Sequence, residues 1–392
     1  MDVAALEIPA SYDAYRTQLR QFIRENCPTL EWKQRAGLRV PESKADVDAL
    51  RRWVGALYES GYRLARFSLE ETDSVAQEIL EEELRVTLIP YVLGNPLVAG
   101  ALREFGDAGQ TERFLTAMAS GAHIWTQLFS EPDAGSDLAS LRTRASLDGA
   151  EYVINGQKVW STWAQWADFG YLLARTGGDG PAGISAFILD MRAPGVDVRP
   201  LREMTGTSDF NEVFLRDVRV PVGNLIGGEG DGWKVALTSL TMERGAVGSG
   251  GSGDLVRRLV ALAMEQDGSG NGGVQGDGVR QAIGEFVARS RIQQYLAHMT
   301  STRVAWNETT VWDAPVSKVW YSELHLDLSQ YALALLGPRS MLTEGDPAAY
   351  EDGTWQDRFL YARALTIAGG SNEVMRNLIA ERGLGLPREP RA

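Results

Sequence analysis

Gln127-Leu128-Phe129-Ser130-Glu131-Pro132-Asp133-Ala134-Gly135-Ser136-Asp137-Leu138 opens the stretch that decides the fold, and Gln157-Lys158-Val159-Trp160-Ser161-Thr162-Trp163 closes it. Pro132 and Gly135 fit poorly inside a regular element, so the first half reads as a strand running into a shaped loop. The loop offers the Ser130 and Ser136 hydroxyls and free backbone N–H groups, which suit a polar ring edge or a phosphate. Between the halves, Asn155-Gly156 separates Tyr152-Val153-Ile154 from Lys158-Val159-Trp160, and Asn-Gly is the strongest two-residue hairpin signal. The expected hairpin ends in an aromatic ring beside hydroxyls. A flat aromatic ligand could stack on Trp160 and take a hydrogen bond from Thr162. Trp125, Trp163 and Trp166 read instead as core.

Outward from this stretch the hydrophobic period changes twice. From about Tyr12 to Ser120 it is helical: Tyr15, Leu19, Phe22 and Ile23 recur at helical spacing, as do Leu50, Trp53, Val54 and Leu57, with Gly61 as a stop. From about His123 to Ile226 it is two, in short runs such as Ile184-Ser185-Ala186-Phe187-Ile188-Leu189 and Val213-Phe214-Leu215 separated by Gly and Pro clusters. That pattern predicts a small antiparallel barrel or sandwich. From Trp233 the helical period returns. Helices are expected over Val279 to about Trp306, Pro315 to Leu336, Asp357 to about Arg363 and Ser371 to Arg382, with a flexible loop at the glycine-rich stretch Gly268 to Gly278.

Composition narrows the function. A chain of 392 residues with 44% hydrophobic and 23% charged residues is an ordinary globular protein of two or three domains. A net charge of −13 argues against a nucleic-acid binder and leaves any polyanionic ligand to a local arginine patch. The single cysteine, Cys27, forms no disulfide within the chain, and three scattered histidines make a histidine metal site improbable. The N-terminus is acidic and amphipathic, unlike a secretory signal, and no apolar run approaches ~18 residues, so a cytoplasmic protein without a membrane span is expected.

One carboxylate stands out. In the helix beginning near Trp233, the residues Trp233, Ala236, Leu237, Leu240 and Val247 form an apolar stripe, and Glu243 and Arg244 fall on it. A charge on the core side is costly unless paired or functional. It is either half of a buried ion pair or a base facing a pocket with an arginine beside it.

The Glu131-to-Asp137 run and the Trp160-Ser161-Thr162 turn resemble the flavin-binding middle domain of the acyl-CoA dehydrogenases. The likeness continues through Phe210-Asn211-Glu212-Val213, Asp217-Val218-Arg219-Val220-Pro221 and the tail from Gly369 to Pro387. The resemblance implies a multidomain α+β fold: an N-terminal helical domain over 1–121, a middle antiparallel β-barrel domain over 122–229 and a C-terminal helical bundle over 230–392. It implies α,β-dehydrogenation of an acyl-CoA or acyl-carrier thioester, with FAD as cofactor and an electron-transfer flavoprotein as electron acceptor. Gln127, Phe129, Ser130, Trp160 and Thr162 would line the flavin ring, and Gly369, Gly370 and Ser371 would meet its diphosphate or adenosine half. Glu243 would be the base, and Ser136 and Arg244 substrate contacts. The family completes its flavin site across an interface, which implies a homo-oligomer or a hetero-oligomer with a homologous chain.

The sequence departs from the family's pattern in three places. The segment from Gly61 to Ser74 is shortened where many relatives carry a tryptophan–proline turn and paired glycines. The commoner base position, counted back from Arg376, falls on Gly369 with Ala368 beside it, and neither accepts a proton. The Arg-x-x-Phe-Gly segment is replaced by the glycine-rich stretch and Val279-Arg280-Gln281-Ala282, and Leu335-Leu336-Gly337-Pro338 stands where relatives are richer in glycine. These departures keep open a carrier-linked dehydrogenase, a flavin monooxygenase on the same fold, and a subunit supporting an active partner chain.

Overall fold

A computed structural model describes residues 10–29, 34–35, 38–39, 41–67, 73–87, 89–246, 252–268, 277–305, 308 and 310–388, with side chains left out at 34–35, 38–39, 66, 74, 241–246, 266–268, 301–302 and 304–305. The chain forms two compact units, Met1–Ser239 and Leu240–Ala392. Of the predicted glycine-rich loop, residues 269–276 lie outside the described residues, while Gly268 ends one helix and Asp277 and Gly278 begin the next; most of the shortened segment after Phe67 also lies outside them.

The first unit opens with five helices: α1 (Asp13–Asn26), α2 (Lys44–Glu59), α3 (Ser74–Val86), α4 (Pro96–Phe105) and α5 (Ala108–Ala119). Their starts are written in the sequence. Ser43 and Asp46 form a reciprocal capping box at α2, Asp107 and Gln110 form another at α5, and Asn95 caps α4 ahead of Pro96. In α2 the buried face is Val47, Leu50, Trp53, Val54 and Leu57, as the spacing predicts. Gly61 then adopts φ +83°, which ends the helix at a conformation open to glycine.

After these helices comes an eight-stranded sheet. Its strands are β1 (Trp125–Leu128), β2 (Arg144–Asp148), β3 (Glu151–Lys158), β4 (Phe169–Arg175), β5 (Ile184–Asp190), β6 (Val196–Pro200), β7 (Asn211–Pro221) and β8 (Leu225–Ile226). The order is β8-β5-β4-β2-β3-β7-β6, with β1 pairing β4. Most pairings are antiparallel, but β1 and β2 each meet β4 in parallel. Strands β4 and β5 are buried on both faces, which explains their continuous apolar runs. Leu172, Ala174, Phe187 and Leu189 join the core with Ile154, Val213 and Val218, while Tyr171, Leu173, Ala186 and Ile188 alternate onto the other face.

The Asn155-Gly156 hairpin is corrected by the structure. Both residues lie inside β3, and the hairpin instead joins β2 to β3, with Asp148 opposite Glu151 and Gly149 at φ +64° in the turn. Asn155 clasps a bulge on the neighbouring strand: its Oδ1 accepts from Asp217 N–H (2.9 Å) and its Nδ2 donates to the Asp217 carboxylate (3.0 Å). Asp217 has φ +51°, and β7 takes one extra residue between Ile154 and Gly156 of its partner. Gly156 is there for close approach, since a Cβ would stand 2.3 Å from Thr143 Oγ1.

Helices and sheet are joined by polar fasteners. Gln110 donates to the Gly223 and Leu225 carbonyls at 2.9 and 2.8 Å. Asp168 accepts from Arg51 (2.6 Å), Arg192 (2.6 Å) and Ile124 N–H (2.9 Å), tying α2 to the start of β4. In the second unit, α7 (Ser252–Gly268), α8 (Asp277–Ala305), α9 (Asp313–Leu336) and α10 (Thr354–Leu365) pack around Leu259, Leu262, Phe286, Leu324, Leu328 and Trp355. The last helix, α11 (Asn372–Leu378), runs on into a π-type turn to Gly383. Among the described residues, no helix is long and apolar enough to cross a membrane.

Asp168 should be the expensive member of its network. Asp168→Ala leaves the partly buried Arg51 and the Ile124 N–H without their acceptor and should cost about 2 kcal/mol. Arg192 is mostly exposed, so Arg192→Ala should cost under about 1 kcal/mol. Urea midpoints with unchanged slope would separate the two, and equal losses would contradict this ranking.

Candidate active site

The loop after β1 is held by a buried ion pair. Lys158, the last residue of β3, is 0% exposed, and its Nζ donates to the Phe129 carbonyl (3.0 Å) and to Glu131 Oε1 (2.8 Å). Glu131 also accepts the backbone N–H groups of Arg142 (2.6 Å) and Thr143 (2.9 Å). Burial pushes the Lys158 ammonium down to about 8, against the pull of Glu131. Burial pushes the Glu131 carboxyl up, but the Lys158 charge and hydrogen bond, with the donors at Thr143 and Arg142, outweigh it and hold the group below the ordinary glutamate range. Both are therefore charged near neutrality. One bond further, Val159 N–H donates to the Ser130 carbonyl at 2.9 Å, bringing the ends of β1 and β3 together.

That junction gathers five of the residues singled out in the sequence. Gln127 is half-buried in β1, opposite Tyr171 of β4. Phe129 packs inward, its ring edge-on to Tyr171 at 4.8 Å, so only its backbone is left to face a ligand. Ser130 is half-buried. Trp160 is 61% exposed, and Thr162 is exposed beside it. Both Trp160 and Trp163 hold left-handed backbone, at φ +60° and +57°, an uncommon state for tryptophan that neighbours must enforce. The enforcing contacts come from the first residue of β7 and the loop before it. Ser161 N–H donates to the Asn211 carbonyl (3.1 Å), Trp163 N–H to the Asp209 carbonyl (2.8 Å), and Asn211 Nδ2 to the Ser161 carbonyl (3.0 Å). Glu203 in turn accepts from Asp209 and Phe210 N–H. Phe210 meets Trp160 edge-on at 6.0 Å. A broad indole face thus stands open to solvent on a fixed turn, next to a hydroxyl. Ser136 lies apart, exposed on the loop.

The other predicted residues belong to the second unit or approach it. Gly369 and Gly370 have φ +66° and +93°, and a Cβ on Gly370 would meet Met375 Cε at 2.5 Å. Ser371 caps α11 by accepting from Val374 N–H at 3.3 Å. Behind this turn, the buried Asn372 Oδ1 accepts from the buried Lys318 (2.7 Å) and from Ser322 (2.9 Å) of α9. Glu373 is exposed in the first helical turn and is held below the ordinary glutamate range by backbone and Ser371 hydrogen bonds, which fits a helix-terminal role. Glu243 and Arg244 lie in α6 (Gly232–Ala246), but their side chains are outside the described residues. Earlier in that helix the buried positions are Gly232, Val235, Ala236 and Ser239, and Leu237, expected on the apolar stripe, is 43% exposed.

Sequence reasoning passed over Glu131, Lys158, Asn211, Lys318 and Asn372. A signal existed for Lys158: it shares the parity of Tyr152 and Ile154, both core residues, so in a strand it must point inward. Asn211 and Asn372 carry no such mark, because their partners come from distant parts of the chain.

Known proteins resemble this chain over most of its length. The profile of the acyl-CoA dehydrogenase middle domain matches residues 126–218, and that of the C-terminal domain matches residues 230–384. The acyl-CoA dehydrogenase IpdE1 of Mycobacterium tuberculosis is 38% identical over 76% of this chain and 75% of that protein. IpdE1 of Mycolicibacterium smegmatis is 35% identical over 96% of this chain and 98% of that protein. Among solved structures, the ChsE4-ChsE5 complex from Mycobacterium tuberculosis superposes with a TM-score of 0.79 at 27% identity, covering 97% of this chain and 100% of that one. The Tcur3481-Tcur3483 steroid ACAD gives 0.81 at 28%, covering 97% and 99%. The chain belongs to the acyl-CoA dehydrogenase family, flavoprotein oxidoreductases that act on the CH–CH group of acyl-CoA thioesters.

Proposed function

We propose that this dehydrogenase uses FAD, held by Gln127, Phe129, Ser130, Trp160 and Thr162 at its ring and by Gly369, Gly370 and Ser371 at its diphosphate or adenosine half. The observation that carries this reading is Trp160. An indole 61% exposed on an enforced left-handed turn, tied through Val159 to Ser130, fits one face of a flat ring system. The glycine turn fits as well, since two residues without Cβ let a ligand approach the backbone. The division of labour follows 1–121, 122–229 and 230–392: helices, flavin-ring domain, and a bundle carrying the base and the oligomer contacts.

Glu243 is the proposed base. Gly369 has no proton acceptor, and its backbone at φ +66° disfavours a glutamate there. Glu243 continues the helical spacing of Ala236 and Ser239, the buried line of α6. In the reaction the Glu243 carboxylate takes the α-proton of the thioester, the α-carbon's electron pair forms the new double bond, and the β-hydrogen leaves with its pair. FAD, when bound, supplies the hydride acceptor, which no side chain can do. Arg244 and Ser136 serve as substrate contacts. Acyl-CoA is the substrate, with steroid-type acyl groups to be tried first because two structural neighbours are a steroid ACAD and its variant. A carrier-protein thioester is the alternative donor. Electrons pass on to an electron-transfer flavoprotein. The chain works as an oligomer with copies of itself or with a homologous chain, as in the ChsE4-ChsE5 complex, and we place it in the cytoplasm.

Two substitutions separate binding from chemistry. Trp160→Ala should weaken FAD retention about tenfold through lost stacking area, read by fluorescence on titrating the flavin-free protein. Glu243→Gln should keep FAD but slow anaerobic flavin reduction by about 10²–10⁴-fold. A Glu243→Gln protein that reduces its flavin at the parent's rate would move the base elsewhere.

A further inference from the structure

We propose that the buried Lys158–Glu131 pair is a positioning element, which presets the backbone of the flavin loop before any ligand arrives; this rests on the flavin reading above.

Three segments meet on the pair. Lys158 ends β3, Phe129 and Glu131 belong to the loop after β1, and Arg142 and Thr143 lead into β2. None of these contacts is to solvent, since Lys158 is 0% and Glu131 7% exposed. Bulk stability is a poor account of such a pair. Removing two charges from water costs several kcal/mol each, and packed apolar residues of similar volume often serve as well or better. What an ion pair adds is direction. A trans peptide points its C=O and N–H in opposite directions. Anchoring the Phe129 carbonyl on the Lys158 ammonium therefore turns the Ser130 N–H away from it, and the Ser130 carbonyl is separately taken by Val159 N–H. The peptide groups on both sides of Ser130 are thus fixed by Lys158 and Val159, two and one residues before Trp160. Gly156 makes the geometry possible: a side chain there would strike the Cβ and backbone of Thr143, whose N–H must reach Glu131.

The test uses the full chain in the oligomer in which it purifies, with FAD as the probe. Lys158→Met leaves Glu131 buried without its cation and should melt lower than the parent. The pair replacement Lys158→Met with Glu131→Gln removes both charges and should recover most of the melting temperature. Both should bind FAD at least tenfold more weakly and change the visible circular dichroism of the bound flavin. A pair replacement that melts, binds and absorbs like the parent would overturn the positioning role while leaving the flavin site intact. A parent that binds no flavin would overturn both. Amide hydrogen exchange on the flavin-free parent needs no variant: Arg142, Thr143 and Val159 should stay protected, and exchange at open-loop rates would show that the pair does not preset the loop.

Discussion

The structure around the loop after β1 depends on one expensive interaction, two opposite charges removed from water at the end of β3. A lysine alone there would shed its proton, and a glutamate alone would take one up. Together, with two backbone N–H groups completing the carboxylate's shell, they stay ionised near neutrality. Each partner is tolerable only because the other is in place, so the loop, the start of β2 and the end of β3 hold one geometry together. A hydrophobic contact could fill that volume, but it could not point a carbonyl.

The same logic of imposed backbone recurs on the other side of the site. Trp160 and Trp163 occupy conformations that a free chain would avoid, at a cost on the order of 1–3 kcal/mol each. The turn keeps them because Asp209 and Asn211 take its N–H groups and Glu203 fixes their own loop in turn. The exposed indole is not a loose surface residue. Strain stored in the turn is balanced by hydrogen bonds one and two layers away, and the result is a rigid platform.

Much of this was legible in the sequence, for stated reasons. Helix starts at Ser43, Asn95 and Asp107 are local chemistry and could be read directly. The apolar runs of β4 and β5 were readable as strands, but their burial on both faces is set by what packs on them and was not. The loop from Ser130 and the Trp160 turn were singled out by their residue types and joined by the family resemblance, and Val159 N–H to the Ser130 carbonyl brings them together. The Asn155-Gly156 hairpin failed because a turn signal is also a bulge signal: the residue that clasps Asp217 and the glycine that admits Thr143 are the types a turn demands. Only the partner strand, sixty residues on, decides between them. Asn372 shows the same limit, since its role is set by Lys318 and Ser322 on another helix.

The glycine at the commoner base position has a structural counterpart. Gly369 and Gly370 sit one after the other in left-handed backbone, and Met375 fills the space a second side chain would need. A carboxylate at Gly369 would have to hold the left-handed backbone that a glutamate disfavours. The proposed base, Glu243, belongs to an element built differently. Helix α6 begins pressed against the sheet, with Gly232 so close to the Ser185 backbone that a Cβ would stand at 2.5 Å, and Val235, Ala236 and Ser239 wholly buried behind it. Its first turns have little room to shift. Glu243 stands further along the same continuous helix, so its backbone is held by helical hydrogen bonds and not by a loop. That suits a proton transfer, because the donor and acceptor must come within hydrogen-bond reach of each other in one orientation.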